Sequence, residues 1–216
     1  MALNERKRQQ KLTKKKAKRK GAVFTIKREI LPTTNLMHDP ASLLLASRSA
    51  IHECLVSERL FENGVGYVVV TRYLPDGRFA MGAFLLDVFC QGVKEANAKA
   101  LPPSDYRRHI NLLKQSEPMA ERDASYVRKL IETAEAYAES LGLTAHPDAR
   151  LVKQLLIDAD VTACAETFEF GQNGRPYFVS GPTDTAARIR FVVDTLTRKL
   201  GEDGFELTLT DEVLTA

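Results

Sequence analysis

The chain has 216 residues, of which 44% are hydrophobic and 27% are charged, and its formal net charge is +3. This composition is typical of a globular protein, and no apolar run approaches the ~18–20 residues of a membrane span, so no membrane contact is expected. The N-terminus has no apolar core after its charged start, which argues against a secretory signal. The three widely spaced cysteines argue against a disulfide framework and favour the reducing cytoplasm.

The charge is distributed unevenly along the chain. Residues 1–20 carry +9, so residues 21–216 sum to −6 when the whole chain carries +3. Because residues 1–20 lack aromatic side chains and repel one another, we predict a disordered basic tail followed by one globular domain over residues 21–216. The cations of this tail all lie in residues 5–20, called here the basic segment: Arg6, Lys7, Arg8, Lys11, Lys14, Lys15, Lys16, Lys18, Arg19 and Lys20.

The basic segment is also the strongest local signal for function. A run of ten cations is the electrostatic pattern of polyanion binding, so RNA or another polyanion is the predicted partner, with the ribosome as one possible setting. Sequence specificity should be low, because the segment has no aromatic ring to stack on bases. A solubilising tail and an arm that binds an acidic protein are the two alternatives.

The first half of the domain is predicted to contain a helix, a hairpin and a second helix. Asp39 is a favoured N-cap for a helix over residues 39–63. Two apolar strands then flank the Pro-Asp-Gly turn at residues 75–77. The second of them, residues 79–86, is apolar on both faces and should be central in its sheet. A helix over residues 89–100 is predicted to follow.

The second half of the domain is predicted to contain three helices, a second hairpin, and a final helix and strand. Asn173-Gly174 favours the tight turn of that hairpin. The order of elements is not a strict βαβ alternation, so the predicted class is α+β, with two β-hairpins forming an antiparallel sheet packed with several helices. The remaining predicted elements are helices over residues 104–116, 122–142 and 149–156, a helix from Gly181-Pro182 to Leu200, and a strand over residues 205–209.

No established catalytic motif occurs in the chain. It has no glycine-rich phosphate loop, no Gly-x-Ser-x-Gly elbow and no His or Cys pair at zinc spacing, so neither a metal nor a cofactor is predicted. Asp87, His52 and Cys90 are the candidate catalytic residues. They would serve a small-molecule enzyme only if their side chains converged on one pocket.

Each candidate also has a structural interpretation. Period-2 counting places Asp87 at the end of the central strand, where burial would raise the pKa of an unpaired carboxylate, but the residue could instead cap the next element. Lys94 is its nearest cation along the chain. In His52-Glu53-Cys54, Cys54 is predicted to be a buried thiol beside two exposed polar residues. The segment Ser180–Asp184 could bind an anion at a helix start, or Asp184 could simply cap that helix.

Two stretches of the sequence together resemble a family of uncharacterised bacterial proteins. They are HECLVSERLFENGVGYVVVTRYLPDGRFAMGAFLLDVFCQGVK and GQNGRPYFVSGPTDT. The resemblance covers most of residues 50–200 and implies a soluble bacterial protein without a known activity. Three functions are therefore expected in decreasing order: a nucleic-acid-associated accessory protein, an enzyme with a site near Asp87, and a non-catalytic protein-interaction module.

Overall fold

The computed structural model of the protein describes residues 36–181 and 184–209. The predicted basic tail, residues 1–20, lies outside these residues. The described chain begins with a 3-10 turn, Leu36–His38, and helix α1, Pro40–Ser47. The carboxylate of Asp39 accepts a hydrogen bond from the Ser42 amide at 3.0 Å, which confirms the predicted N-cap.

A five-stranded antiparallel sheet forms the centre of the fold and confirms the predicted α+β class. Its strands are β1 (Ile51–Ser57), β2 (Val65–Tyr73), β3 (Phe79–Asp87), β4 (Gly92–Leu101) and β5 (Met119–Glu121). The strand order is β4-β3-β2-β1-β5, with each pair antiparallel. The hairpin turn at residues 75–77 joins β2 to β3 as predicted, and β3 is flanked on both sides.

Helices cover both faces of this sheet. Besides α1, the helices are α2 (Leu60–Asn63), α3 (Pro103–Ser116), α4 (Ala124–Ser140), α5 (Ala149–Val152) and α6 (Ala186–Leu200), with 3-10 turns at Lys153–Leu156 and Val161–Ala163. One face packs against α1, α4 and α5 through a core that includes Phe84, Leu130 and Leu155. The opposite face packs against α3 through Tyr106, Ile110 and Leu113.

A third, smaller core attaches the C-terminal elements to the sheet. Strand β6 (Tyr177–Val179) pairs in parallel with β7 (Glu206–Thr208). Phe178 and residues of α6 pack against Cys90 and the end of α4. Strand β7 confirms the predicted last strand. Helices α3, α4, α5 and α6 confirm the four helices predicted in the second half of the domain.

The predicted helix over residues 39–63 is right only at its two ends, because residues 51–57 form strand β1, and the predicted helix over residues 89–100 is wrong, because residues 92–101 form strand β4. Cys54 and Val56 lie in one core while Leu55 lies in the other, so β1 buries side chains on both faces of the sheet. In β4 the good helix formers Ala, Lys and Glu pair along the free edge of β3. Tertiary burial outweighs intrinsic helix propensity at both positions.

The second hairpin is only partly as predicted. Asn173 and Gly174 both have positive φ, 55° and 75°, and Gln172 bridges Arg175, as expected for the tight turn. Residues 164–170 do not form the first strand of a hairpin, and β6 pairs with β7 instead. Helix α6 begins at Ala186 with Thr185 as N-cap, later than predicted, and Pro182 lies outside the described residues.

Candidate functional site

Asp87 holds the turn between β3 and β4. Its side chain is fully buried, and Oδ1 accepts hydrogen bonds from the amides of Phe89 and Cys90, both at 3.0 Å. Gln91 Nε2 lies 3.5 Å from Oδ2. This geometry matches the capping interpretation, although a turn and a strand follow Asp87 where a helix was expected.

Cys90, the third residue of this turn, is fully buried. It lies in the small core together with Phe178 and Val192, between the end of α4 and α6. Its amide donates to Asp87, so the two candidates are neighbours. The Cys90 thiol therefore lies in packed apolar surroundings, away from solvent.

His52 occupies the other end of the sheet. It is the extra residue of a β-bulge in β1, since Ile51 pairs with Arg72 and Glu53 with Thr71. The bulge directs its exposed ring to the aromatic cluster at the β2–β3 turn, where Nδ1 lies 2.7 Å from the Tyr73 hydroxyl.

His52 and Asp87 are therefore far apart. The rings of His52 and Phe79 lie 4.9 Å apart, and Phe79 starts β3, while Asp87 ends that strand. Asp87 lies eight positions after Phe79, which is about 26 Å along a strand. The neighbouring Cys54 is buried as predicted, and this burial raises the pKa of its thiol to about 12. The structure does not bring the three candidate catalytic residues together.

Lys94 connects the sheet to the segment before α6. It too is the extra residue of a bulge, because Leu85 pairs with Glu95 and Leu86 with Val93. Its Nζ lies 3.1 Å from Oδ2 of Asp184, and both side chains are almost fully buried. Oδ2 of Asp184 also accepts the Gly181 amide at 2.7 Å.

The region around Asp184 thus converges on the Asp87 turn, which sequence reasoning did not anticipate. Arg188 of α6 donates to Oε1 of Gln91 at 3.1 Å. Gln91 in turn contacts Asp87, so these polar contacts connect the Asp87 turn to the first turn of α6. The Asp184 carboxylate serves as a structural acceptor for an amide and an ammonium group.

A second buried polar pair, which the sequence interpretation missed, lies beneath α3. Lys99 is only 2% exposed and its Nζ lies 3.1 Å from Nε2 of His109, whose Nδ1 contacts the carbonyl oxygen of Asp105 at 2.7 Å. Burial lowers the pKa of Lys99 to about 8 and lowers the pKa of His109. Assigning residues 89–100 to a helix concealed the pair, because Lys99 joins Glu53, Thr71 and Met81 in one row across the sheet only when this segment pairs as a strand.

The largest depression that we describe is a groove of about 840 Å³, called here the aromatic groove. It is built by α2, the Asp87 turn, the first turn of α4, the irregular stretch that follows the 3-10 turn at Val161–Ala163, and the turn at residues 171–174. Phe61 of α2 stacks on Phe168 at 5.9 Å, and Tyr126 of α4 meets Phe168 edge-on at 5.1 Å. Asp87 positions Phe89, which also lines the groove.

The rim of the aromatic groove is acidic. Glu62, Glu166 and Glu169 are all exposed, and none of the residues that line the groove is Lys, Arg or His. A second depression of about 560 Å³ continues from Tyr126 and Glu166 and adds Glu121 and Asp123. The guanidinium of Arg122 in that depression lies over the Tyr126 ring, 5.3 Å from its centroid.

Among residues 36–181 and 184–209, no group of three or more His, Cys, Asp or Glu side chains is placed to hold a metal ion. No helix in the described part of the chain is long and apolar enough to cross a membrane. The cations of the basic segment lie outside the described residues, so their contacts are not part of this geometry.

Comparison with protein-family models, with curated proteins and with solved structures gave no match. The resemblance to a family of uncharacterised bacterial proteins therefore stays a prediction. Function has to be argued from this chain's own residues.

Proposed function

We propose that the protein is a nucleic-acid-associated accessory protein of the cytoplasm that binds RNA through its basic segment. The observation that carries this proposal is the separation of charge: +9 in residues 1–20 and −6 in the rest of the chain. RNA phosphates attract the first part and are repelled by the second. Binding should therefore involve the segment itself, with the folded domain held beside the RNA.

The acidic groove supports RNA binding through the basic segment instead of through the folded domain. Its carboxylates would repel a phosphate backbone, so the domain surface around α2 and the first turn of α4 is a poor binding site for RNA. A basic segment that contacts about six phosphates would give a log–log salt slope of roughly −4 to −5. Discrimination among RNA sequences should be weak, because phosphate contacts carry no base information.

A small-molecule enzyme with a site near Asp87 is less favoured. The carboxylate of Asp87 is used in holding the β3–β4 turn, and His52 lies beside Phe79, which is about 26 Å from Asp87 along β3. The Cys90 thiol is buried in an apolar core. These three residues do not form a nucleophile–base arrangement, which requires hydrogen-bond reach.

The test is a titration of a labelled single-stranded RNA with the full chain at several salt concentrations. A variant with Lys14, Lys15, Lys16 and Lys18 changed to Gln should bind at least tenfold more weakly, and its salt slope should fall by roughly 3. The matched control changes four exposed cations of the domain to Gln: Arg107, Arg150, Arg190 and Lys199. That control should retain the affinity and slope of the unchanged protein. Equal loss in both variants, or in neither, would refute binding through the basic segment.

A further inference from the structure

We propose that the aromatic groove binds the basic segment of the same chain, so that RNA must compete with the groove for residues 5–20. Docking of the basic segment is argued from the groove itself. The competition with RNA rests on the proposed RNA binding.

The floor of the groove suits cationic side chains. Phe61, Phe168 and Tyr126 are half-exposed and present ring surfaces to the depression. A Lys or Arg over such a ring gains cation–π attraction of about 0.5–1 kcal/mol at an exposed site. Arg122, which lines the neighbouring depression, already lies over the Tyr126 ring in this way.

The rim supplies complementary charge. Glu166 and Glu169 are exposed, and neither forms an ion pair with another residue in the described part of the chain. They lie on either side of Phe168 in the sequence, and all three residues line the groove. A segment with several cations can therefore pair its charges with the rim while its aliphatic stems cover the rings.

Residues 165–170 also offer backbone groups. They belong to no helix or strand, and no backbone hydrogen bond joins them to another residue in the ranges 36–181 and 184–209. Backbone groups of this kind can accept a peptide lying alongside them, as in recognition by strand addition. Main-chain contacts would add affinity that does not depend on any one Lys or Arg.

The chain's own basic segment can reach the groove. The described chain begins at Leu36, which packs in the same core as Phe61. Fifteen residues lie between Lys20 and Leu36, which span up to about 50 Å when extended. Being tethered, the segment has a local concentration in the millimolar range, so a modest intrinsic affinity would suffice.

The charges favour this occupant over a separate protein. The basic segment carries the main excess of positive charge in the chain, and the groove belongs to the part that carries −6. Docking would neutralise both and would hold the cations away from phosphate. RNA, which offers many more phosphates than the groove has carboxylates, would displace the segment at sufficient concentration.

The first experiment measures docking without RNA. A fluorescein-labelled peptide of residues 5–20 is titrated with the full chain that carries Lys14, Lys15, Lys16 and Lys18 changed to Gln, so that its own segment competes weakly. Adding Glu166→Gln and Glu169→Gln should weaken peptide binding about tenfold at low salt. The matched control, Glu139→Gln with Glu202→Gln, removes two exposed carboxylates elsewhere and should change the affinity less than twofold.

The same titration with the unchanged protein identifies the occupant. Its intact basic segment should reduce the apparent affinity for the added peptide several-fold. If the unchanged protein bound the peptide as tightly as the Lys-to-Gln variant, the chain's own segment would not be in the groove and the proposal would be overturned. Equal weakening by the groove variant and by its control would also overturn it.

The second experiment measures the competition. Glu166→Gln with Glu169→Gln should raise RNA affinity more than Glu139→Gln with Glu202→Gln, although both changes remove two negative charges. A positive peptide titration without any RNA binding would sustain docking and refute the proposed function. RNA binding with equal effects of the two double variants would sustain the proposed function and refute the competition.

Discussion

Buried ionisable groups in this protein are mostly held by specific partners. The guanidinium of Arg72 is fully buried, donates to the carbonyl oxygen of Leu155 at 2.6 Å, and pairs with both oxygens of Asp158. This contact lowers the pKa of Asp158. Arg72 thus connects β2 to the 3-10 turn at Lys153–Leu156 by satisfying groups that burial would otherwise leave unpaired.

Glu117, after the last turn of α3, lacks such a partner on one oxygen. Its Oε1 is buried and accepts no hydrogen bond from the described residues, and burial raises the pKa of the carboxyl to about 7. Between the ordinary pKa of 4.5 and this value, the folded protein binds more protons than the unfolded chain. Its stability therefore falls as the pH rises through that window.

Replacing Glu117 by Gln should remove this loss. We expect the variant to exceed the unchanged protein in unfolding free energy by up to ~3 kcal/mol at pH 8, and to show little difference at pH 4. Urea denaturation across this pH range measures the effect, with the exposed Glu139→Gln as control. A difference that does not depend on pH would argue against a raised pKa at Glu117.

At the scale of elements, close packing fixes how α4 lies on the sheet. Gly92 begins β4 with a φ of +62°, and a Cβ there would lie 2.7 Å from the carbonyl oxygen of Ala134 and 3.0 Å from the Cβ of Ala138. Both contacts are with α4. The strand therefore approaches the helix more closely than any side chain at this position would allow.

Changing Gly92 to Ala should separate β4 from α4. We expect a loss of about 2–4 kcal/mol in unfolding free energy, which combines left-handed backbone strain with steric overlap. Gly174→Ala is the matched control, because its φ is +75° but no atom lies within 4 Å of the added Cβ. It should lose only about 1 kcal/mol. If chemical denaturation gave equal losses of unfolding free energy for the two variants, the close contact with α4 would not contribute to the loss at Gly92.

At the scale of the whole molecule, the C-terminal elements depend on contacts with the main sheet. Residues of α6 and β6 share a core with Cys90 and the end of α4, and the buried Lys94–Asp184 ion pair adds a polar connection. Removing one partner of a buried ion pair leaves the other charge uncompensated. This connection should therefore couple the folding of the two parts.

A double-mutant cycle with Lys94→Met and Asp184→Asn tests the coupling. Each single change should cost about 2–3 kcal/mol, and the double variant should lose about 1–3 kcal/mol less than their sum. The exposed pair Arg108–Asp105 provides the control, because its coupling should stay below ~0.5 kcal/mol. Thermal or urea unfolding of the six variants gives all values, and similar coupling in both pairs would contradict a special role for burial.

The sequence alone determined those features that depend on neighbouring residues. Four of these features follow from local backbone preference and periodicity. They are the Asp39 cap, the turn at residues 75–77, the Asn173-Gly174 turn and the amphipathic helix α4. The charge separation between residues 1–20 and the remainder is likewise a property of composition. These features require no knowledge of distant contacts.

Only the tertiary structure decided the rest. Strands β1 and β4 form where helix formers are abundant, because pairing with β2 and β3 buries them in the sheet. Three further features depend on contacts between residues of different elements. They are the bulges that redirect His52 and Lys94, the Lys99–His109 pair, and the aromatic groove. Local propensity is worth tenths of a kcal/mol per residue, whereas burial of a side chain is worth about 1.5–3 kcal/mol, so long-range packing prevails wherever the two disagree.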